Sequence, residues 1–170
     1  KEQAESLGLS AVTFYDEQLK HPDGNAAPTG TKGEMLKSAK EMYHELSKET
    51  GEFFDFMLEH EMFDLDSKPG KQPGGYCSFL PGVKSPFIFA NFNGTSADVD
   101  VLTHEMGHAF EAYTASRIYP LSSMTWASSE TNEIHSMSME FLTYPWMEKF
   151  FGDKVGLYRK DHLIQALEAV

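Results

Sequence analysis

Between Glu34 and about Asp64 the apolar positions return every three or four residues. Met35, Ala39, Met42 and Leu46, then Phe53 and Met57, form one row, and Leu36, Tyr43, Phe54 and Leu58 form a second beside it. That period gathers both rows on one broad face and predicts a long amphipathic helix over 34–65, packed on a core. A stripe of Met and Phe could line a ligand groove, but core packing is the simpler reading. Gly51 costs such a helix about 1 kcal/mol against alanine, so a bend or a break into two helices is expected there.

Residues 1–33 form an irregular lead-in after a short helical start, because His21-Pro22-Asp23-Gly24-Asn25 and Pro28-Thr29-Gly30 are turn chemistry. Residues 66–94 read as loop and strands. Phe87-Ile88-Phe89-Ala90-Asn91-Phe92, closed by Asn93-Gly94, is the better strand, and Tyr76-Cys77-Ser78-Phe79-Leu80 is a shorter candidate. From 95 to 170 helical pattern returns, apart from a loop near 117–127 and an interruption at Pro145.

Composition narrows this picture little. An apolar fraction of 41% and a charged fraction of 24% describe a globular chain. The formal charge of −12 argues against nucleic acid or an anionic membrane as partner, and suits neutral or basic substrates. The single cysteine, Cys77, excludes an internal disulfide framework and any zinc site of several thiolates, so a reducing, cytoplasmic setting is expected. No apolar run approaches the roughly 18 residues of a membrane span and no leader is seen, so a soluble protein is expected. The chain opens on Lys1-Glu2-Gln3 and closes on a helix-like run without a stop signal, which reads as one partial domain, 1–170, excised from a longer chain. The sequence does not set the oligomeric state.

The chemistry lies in His104-Glu105-Met106-Gly107-His108, an H-E-x-x-H motif. Four residues apart on a helix, two imidazoles share one face and can reach one ion, while the intervening glutamate is turned to serve as a base toward water. Val99, Leu102, Met106, Ala109 and Phe110 give the motif a helical context. Asp98 and Asp100 suit the start of a helix, and Thr95 or Ser96 a cap. Gly107 is costly inside a helix unless another chain segment passes close over that turn. The motif can arise by chance, so a third ligand is needed; a catalytic zinc generally takes three protein ligands and keeps one open position. Glu111 would share the motif's helix under strain. Glu130, Glu133 and Glu140 lie on a second predicted helix, with Glu133 and Glu140 two turns apart on one face, and spacing alone does not choose among them.

Over about 70–145 the chain resembles the M3 family of zinc peptidases, which includes thimet oligopeptidase and oligoendopeptidase F. The resemblance is carried by Ala97-Asp98-Val99-Asp100-Val101-Leu102-Thr103 running into the motif, by Asn132-Glu133-Ile134-His135-Ser136, and by Met139-Glu140-Phe141. It implies that the third zinc ligand is Glu133, within a Glu-x-x-Ser-x-x-x-Glu segment that also contains Ser136 and Glu140. It further implies a mainly α-helical, zincin-like core with a small β-sheet element before the metal-binding helix, one Zn2+ held by His104, His108 and Glu133, Glu105 as general base, and short oligopeptides as substrates. Glu140, Glu130 or Asp100 could accept a hydrogen bond from a ligand histidine and fix its tautomer. His135 is expected at the surface or in the core, and His21, His44, His60 and His162 in structural roles. Strand 87–92 is expected to offer an edge to extended substrate. The family's oxyanion-stabilising tyrosine and histidine, which lie well C-terminal, have no match, so a zinc-binding segment with weak or no turnover is expected.

Overall fold

The computed structural model describes residues 2–168. The lead-in holds α1 (Glu2–Leu7) and one 3-10 turn, Phe14–Asp16. Helix α2 (Lys32–Leu46) opens on a capping box: the Thr31 hydroxyl accepts from Glu34 N–H, and the Glu34 carboxylate accepts from Thr31 N–H at 2.7 Å.

The long helix expected over 34–65 is instead three elements. After α2, Ser47 leaves helical geometry and caps α3 (Lys48–Glu59) by accepting from Thr50 N–H at 3.1 Å. The break lies at Ser47 and not at Gly51. Gly51 serves a close approach instead. A Cβ there would sit 2.9 Å from His44 Cα, so glycine lets the two helices close on each other. Periodicity misses the break because both helices bury the same stripe, Met35, Ala39 and Met42 on one, Phe53, Phe54 and Met57 on the other.

The last residues of the expected helix form strand β1 (Phe63–Asp66), which joins β2 (Tyr76–Leu80) and β3 (Ser85–Phe92) in a sheet of order β1-β3-β2. β1 runs parallel to β3 and β2 antiparallel. With β3 paired on both sides, strand 87–92 has no edge to offer a substrate. The edge nearer the motif belongs to β2.

Short α4 (Ala97–Asp100) leads through a π turn, Val101–Glu105, into α5 (Met106–Ile118). Then follow α6 (Ser129–Leu142), a 3-10 turn holding Pro145, α7 (Glu148–Phe151) and α8 (Val155–Glu168). One apolar core joins α2 and α3 to the sheet through Ile88 and Ala90 and to the motif helix through Leu102, Met106 and Ala109. Tyr43 and Phe54 stack in it with ring centroids 5.1 Å apart. The fold is mainly helical with one small sheet ahead of the motif. Among the described residues no helix is long and apolar enough to cross a membrane.

Candidate metal centre

The motif is aimed by its entry. Asp98 is buried and accepts from Asn93 N–H at 3.0 Å and Gly94 N–H at 2.8 Å, closing the turn after β3 onto the helix start. Gly94 has φ of 82°, which suits glycine. Neither Thr95 nor Ser96 caps the helix; Thr95 N–H donates to Asn93 Oδ1 instead. The next turn is π and not α. Its wider register leaves carbonyls that side chains satisfy: Tyr43 Oη donates to Leu102 O at 2.8 Å, and Thr103 Oγ1 to Asp100 O at 3.1 Å. His104 lies within this turn and His108 in the regular helix beyond, with ring centroids 4.9 Å apart and planes nearly perpendicular.

Helix α6 crosses α5 at Gly107. A Cβ there would meet Ser136 Cα at 2.6 Å and His135 O at 2.9 Å, so only glycine permits this approach. The crossing brings Glu133 to the histidines: its carboxylate lies 3.3 Å from His104 Nε2 and 3.7 Å from His108 Nε2. Ser136 Oγ donates to Glu133 Oε2 at 3.0 Å and steadies it. One donor atom from each of the three residues lies within 4.8 Å of the others. Donors about 2.1 Å from one tetrahedral ion stand about 3.4 Å apart, close to the two Glu133 separations, so the set suits zinc in its donor chemistry.

Behind the histidines lies a buried polar cluster. Glu140 accepts from His104 Nδ1 with one oxygen and pairs with His162 Nε2 through the other, and Tyr144 Oη meets His162 Nδ1. Burial opposes the charge on Glu140, yet its two histidine partners outweigh that and hold its carboxyl down at about 2. Burial likewise opposes a charge on His104, but Glu140 raises its pKa. A proton kept on Nδ1 leaves the Nε2 lone pair facing Glu133. His108 titrates lower than usual because of burial and then of His104, which favours the neutral imidazole. Its Nδ1 is buried without a hydrogen-bond partner among the described residues.

Glu105 stands beside the cluster with its carboxyl pushed up by burial, while the charge on His104 and a hydrogen bond from Cys77 N–H pull it down. Ile88 N–H donates to Met62 O, on the far side from β2, so its partner Cys77 turns its own N–H outward toward Glu105.

Of the three carboxylates that spacing leaves open behind the histidines, Glu140 touches His104. Asp100 accepts from Tyr158 Oη at 2.8 Å, and Glu130 interacts with Ser128 at the exposed start of α6. His21 pairs with Asp161, His44 with Asp55, and His60 Nδ1 lies 3.0 Å from Phe56 O. His135 is half-exposed near Glu111. The resemblance includes Ser136 in the Glu133 segment without giving its hydroxyl a role, although its position three residues after Glu133 is a local signal. It assigns His162 a structural role but offers no signal tying it to Glu140, 22 residues away.

A model of peptidase family M3 matches residues 10–168. A solved oligoendopeptidase F is 49% identical with a TM-score of 0.92, covering 98% of this chain and 29% of its own. An oligoendopeptidase F from Bacillus anthracis is 48% identical with a TM-score of 0.92, covering 98% of this chain and 30% of its own. PZ peptidase A in complex with an inhibitor is 49% identical, again with a TM-score of 0.92, over 98% of this chain and 29% of its own. A search of curated proteins found no match. The chain therefore spans 29–30% of the length of these structural relatives.

Proposed function

The chain belongs to peptidase family M3, and from that premise we propose that it carries the zinc-binding core of a metallopeptidase that hydrolyses short oligopeptides. His104, His108 and Glu133 hold the ion and Glu105 is the general base. The observation that carries this reading is the meeting of one donor atom from each of those three residues within 4.8 Å, next to a carboxylate on the same helix.

When bound, a zinc ion supplies Lewis acidity toward water and the scissile carbonyl. The chain's own residues do the rest. Glu140 fixes His104 in the tautomer that offers Nε2, and Ser136 orients the Glu133 carboxylate. Glu105, whose pKa is lifted by burial, takes a proton from the attacking water and passes it to the leaving nitrogen. The outward backbone of β2 beside Glu105 suits alignment of an extended peptide. A reducing, cytoplasmic setting suits the single thiol.

Turnover by this chain is slow or absent in a second reading, because the oxyanion-stabilising tyrosine and histidine of the resemblance have no counterpart in it. Missing donors of that kind cost about 10²–10³ in rate. Metal analysis after dialysis against zinc tests the core claim. One ion per chain is expected, and a metal-free protein would refute it. Hydrolysis of a quenched oligopeptide, compared between the wild type and Glu105→Gln, then separates the two readings: residual turnover lost in the variant marks an enzyme, and none in either marks a binding module.

A further inference from the structure

Past the Gly107 crossing, α5 and α6 diverge, and the 119–127 loop covers part of the gap. A cavity of about 610 Å³ remains. Its walls include Ile118, Met124, Trp126 and Leu142, and its polar groups include Glu111 and, at the rim, His135. Trp126 also stands edge-on to His108, with ring centroids 6.5 Å apart, so the cavity opens one ring away from the candidate metal centre.

Glu111 is the unusual member. Its side chain is only 9% exposed, and Oε2 is buried without a hydrogen bond among the described residues, although His135 Nδ1 lies 2.9 Å away. A carboxylate in an apolar wall is costly unless a cation or several donors meet it. No lysine or arginine lines the cavity among the described residues. His135 at the rim is the ionisable partner that Glu111 has, and a ligand cation would add a second from inside the cavity, while the walls ask for an apolar stem and a flat group to lie on the Trp126 indole. The chain's formal charge of −12 attracts such a ligand from a distance.

We propose that this cavity is a subsite for a basic side chain of a bound peptide, an arginine with its stem along Ile118 and Met124 and its guanidinium between Trp126 and Glu111. The inference rests on the peptidase reading for the ligand being a peptide. The cavity itself needs no metal.

The test uses the metal-free chain and two probes, N-acetyl-arginine amide and N-acetyl-citrulline amide, which match in shape and differ in charge. Binding is followed at the Trp126 indole N–H by nuclear magnetic resonance. The arginine probe should bind at least about tenfold more tightly than citrulline, as a charged hydrogen bond in a partly buried site requires. Glu111→Gln should erase that preference. Equal binding of the two probes, a preference that survives in Glu111→Gln, or a Trp126 resonance unmoved by either probe would each overturn the proposal. The wild-type comparison stands even if the variant does not fold. Because no zinc is present, failure here is distinct from failure of the metal reading, which zinc stoichiometry alone decides.

Discussion

Glu133 and Glu140 lie two turns apart on one face of α6, and both reach His104, yet they occupy opposite environments. Glu133 is 53% exposed at its side chain, is steadied by one serine, and faces the open side of both imidazoles. Glu140 is 11% exposed and is gripped by two histidines. A carboxylate that is to exchange hydrogen-bond partners for an ion has to stay accessible. One that is to hold a ring in a single orientation is better buried, with both oxygens committed. The same residue type at the same helical phase acquires its role from what the neighbouring elements bring to it.

Substitutions at the two glutamates should separate these roles. The largest effect is expected for Glu133→Ala: stoichiometric zinc binding disappears, while stability changes by less than about 0.5 kcal/mol, as is usual for an exposed side chain. Zinc titration and urea unfolding read the two quantities, and retained stoichiometric zinc would break the distinction. Glu140→Ala should do the reverse in part. It strands two histidines in a buried site and should cost roughly 3 kcal/mol of stability, with zinc affinity falling about 10–100-fold but not vanishing.

Gly107→Ala should come next. Its methyl would press on the α6 backbone, a strain of about 1–3 kcal/mol, set against a helix-propensity gain of about 1 kcal/mol. A lower unfolding temperature together with weaker zinc binding is expected, and a stabilised variant would contradict the close crossing.

Acid titration sharpens the contrast on the buried side, where Asp100 accepts a hydrogen bond from Tyr158 and feels the charges of His162 and His104 only weakly against its burial. Burial lifts the Asp100 carboxyl from 3.8 to about 6. A raised folded-state value means that the native chain holds the proton more tightly than the unfolded one. The contribution of Asp100 to stability is therefore full below about pH 4 and lost as the pH rises through about 6, a change of roughly 3 kcal/mol at most. Asp100→Asn should flatten this part of the stability profile, and an unchanged profile would count against it. Smallest of all, Ser136→Ala should weaken zinc binding a few-fold with little loss of stability, read by the same zinc titration.

Much of the centre is legible in the sequence because its signals are local. The motif gives two imidazoles and a carboxylate on adjacent turns, Gly107 announces a close neighbour, and family resemblance singles out Glu133 where spacing leaves several carboxylates open. The parts that escape depend on partners distant in the chain. Residues 63–66 become a strand because β3 pairs with them; their own alternation, Phe63-Asp64-Leu65-Asp66, is a strand signal too short to stand out against the helical stripe before it. The π turn depends on Tyr43 reaching Leu102 across 59 positions. His162 acquires its role by meeting Glu140 from another helix. Ser47 is the exception: its capping chemistry is visible, but an unbroken apolar stripe overrides it.

Gly107 makes the thickness of a helix pair into a ruler for bond lengths. The backbones of α5 and α6 meet where a methyl group would already be 2.6 Å from Ser136 Cα, and Glu133 stands less than one turn from that contact. Zinc ligands tolerate errors of only about 0.2 Å. Anything that wedges the pair apart by a fraction of an atomic radius would move the carboxylate away while leaving both imidazoles where they were, so the spacing of the three proposed ligands is set by a residue that is not one of them.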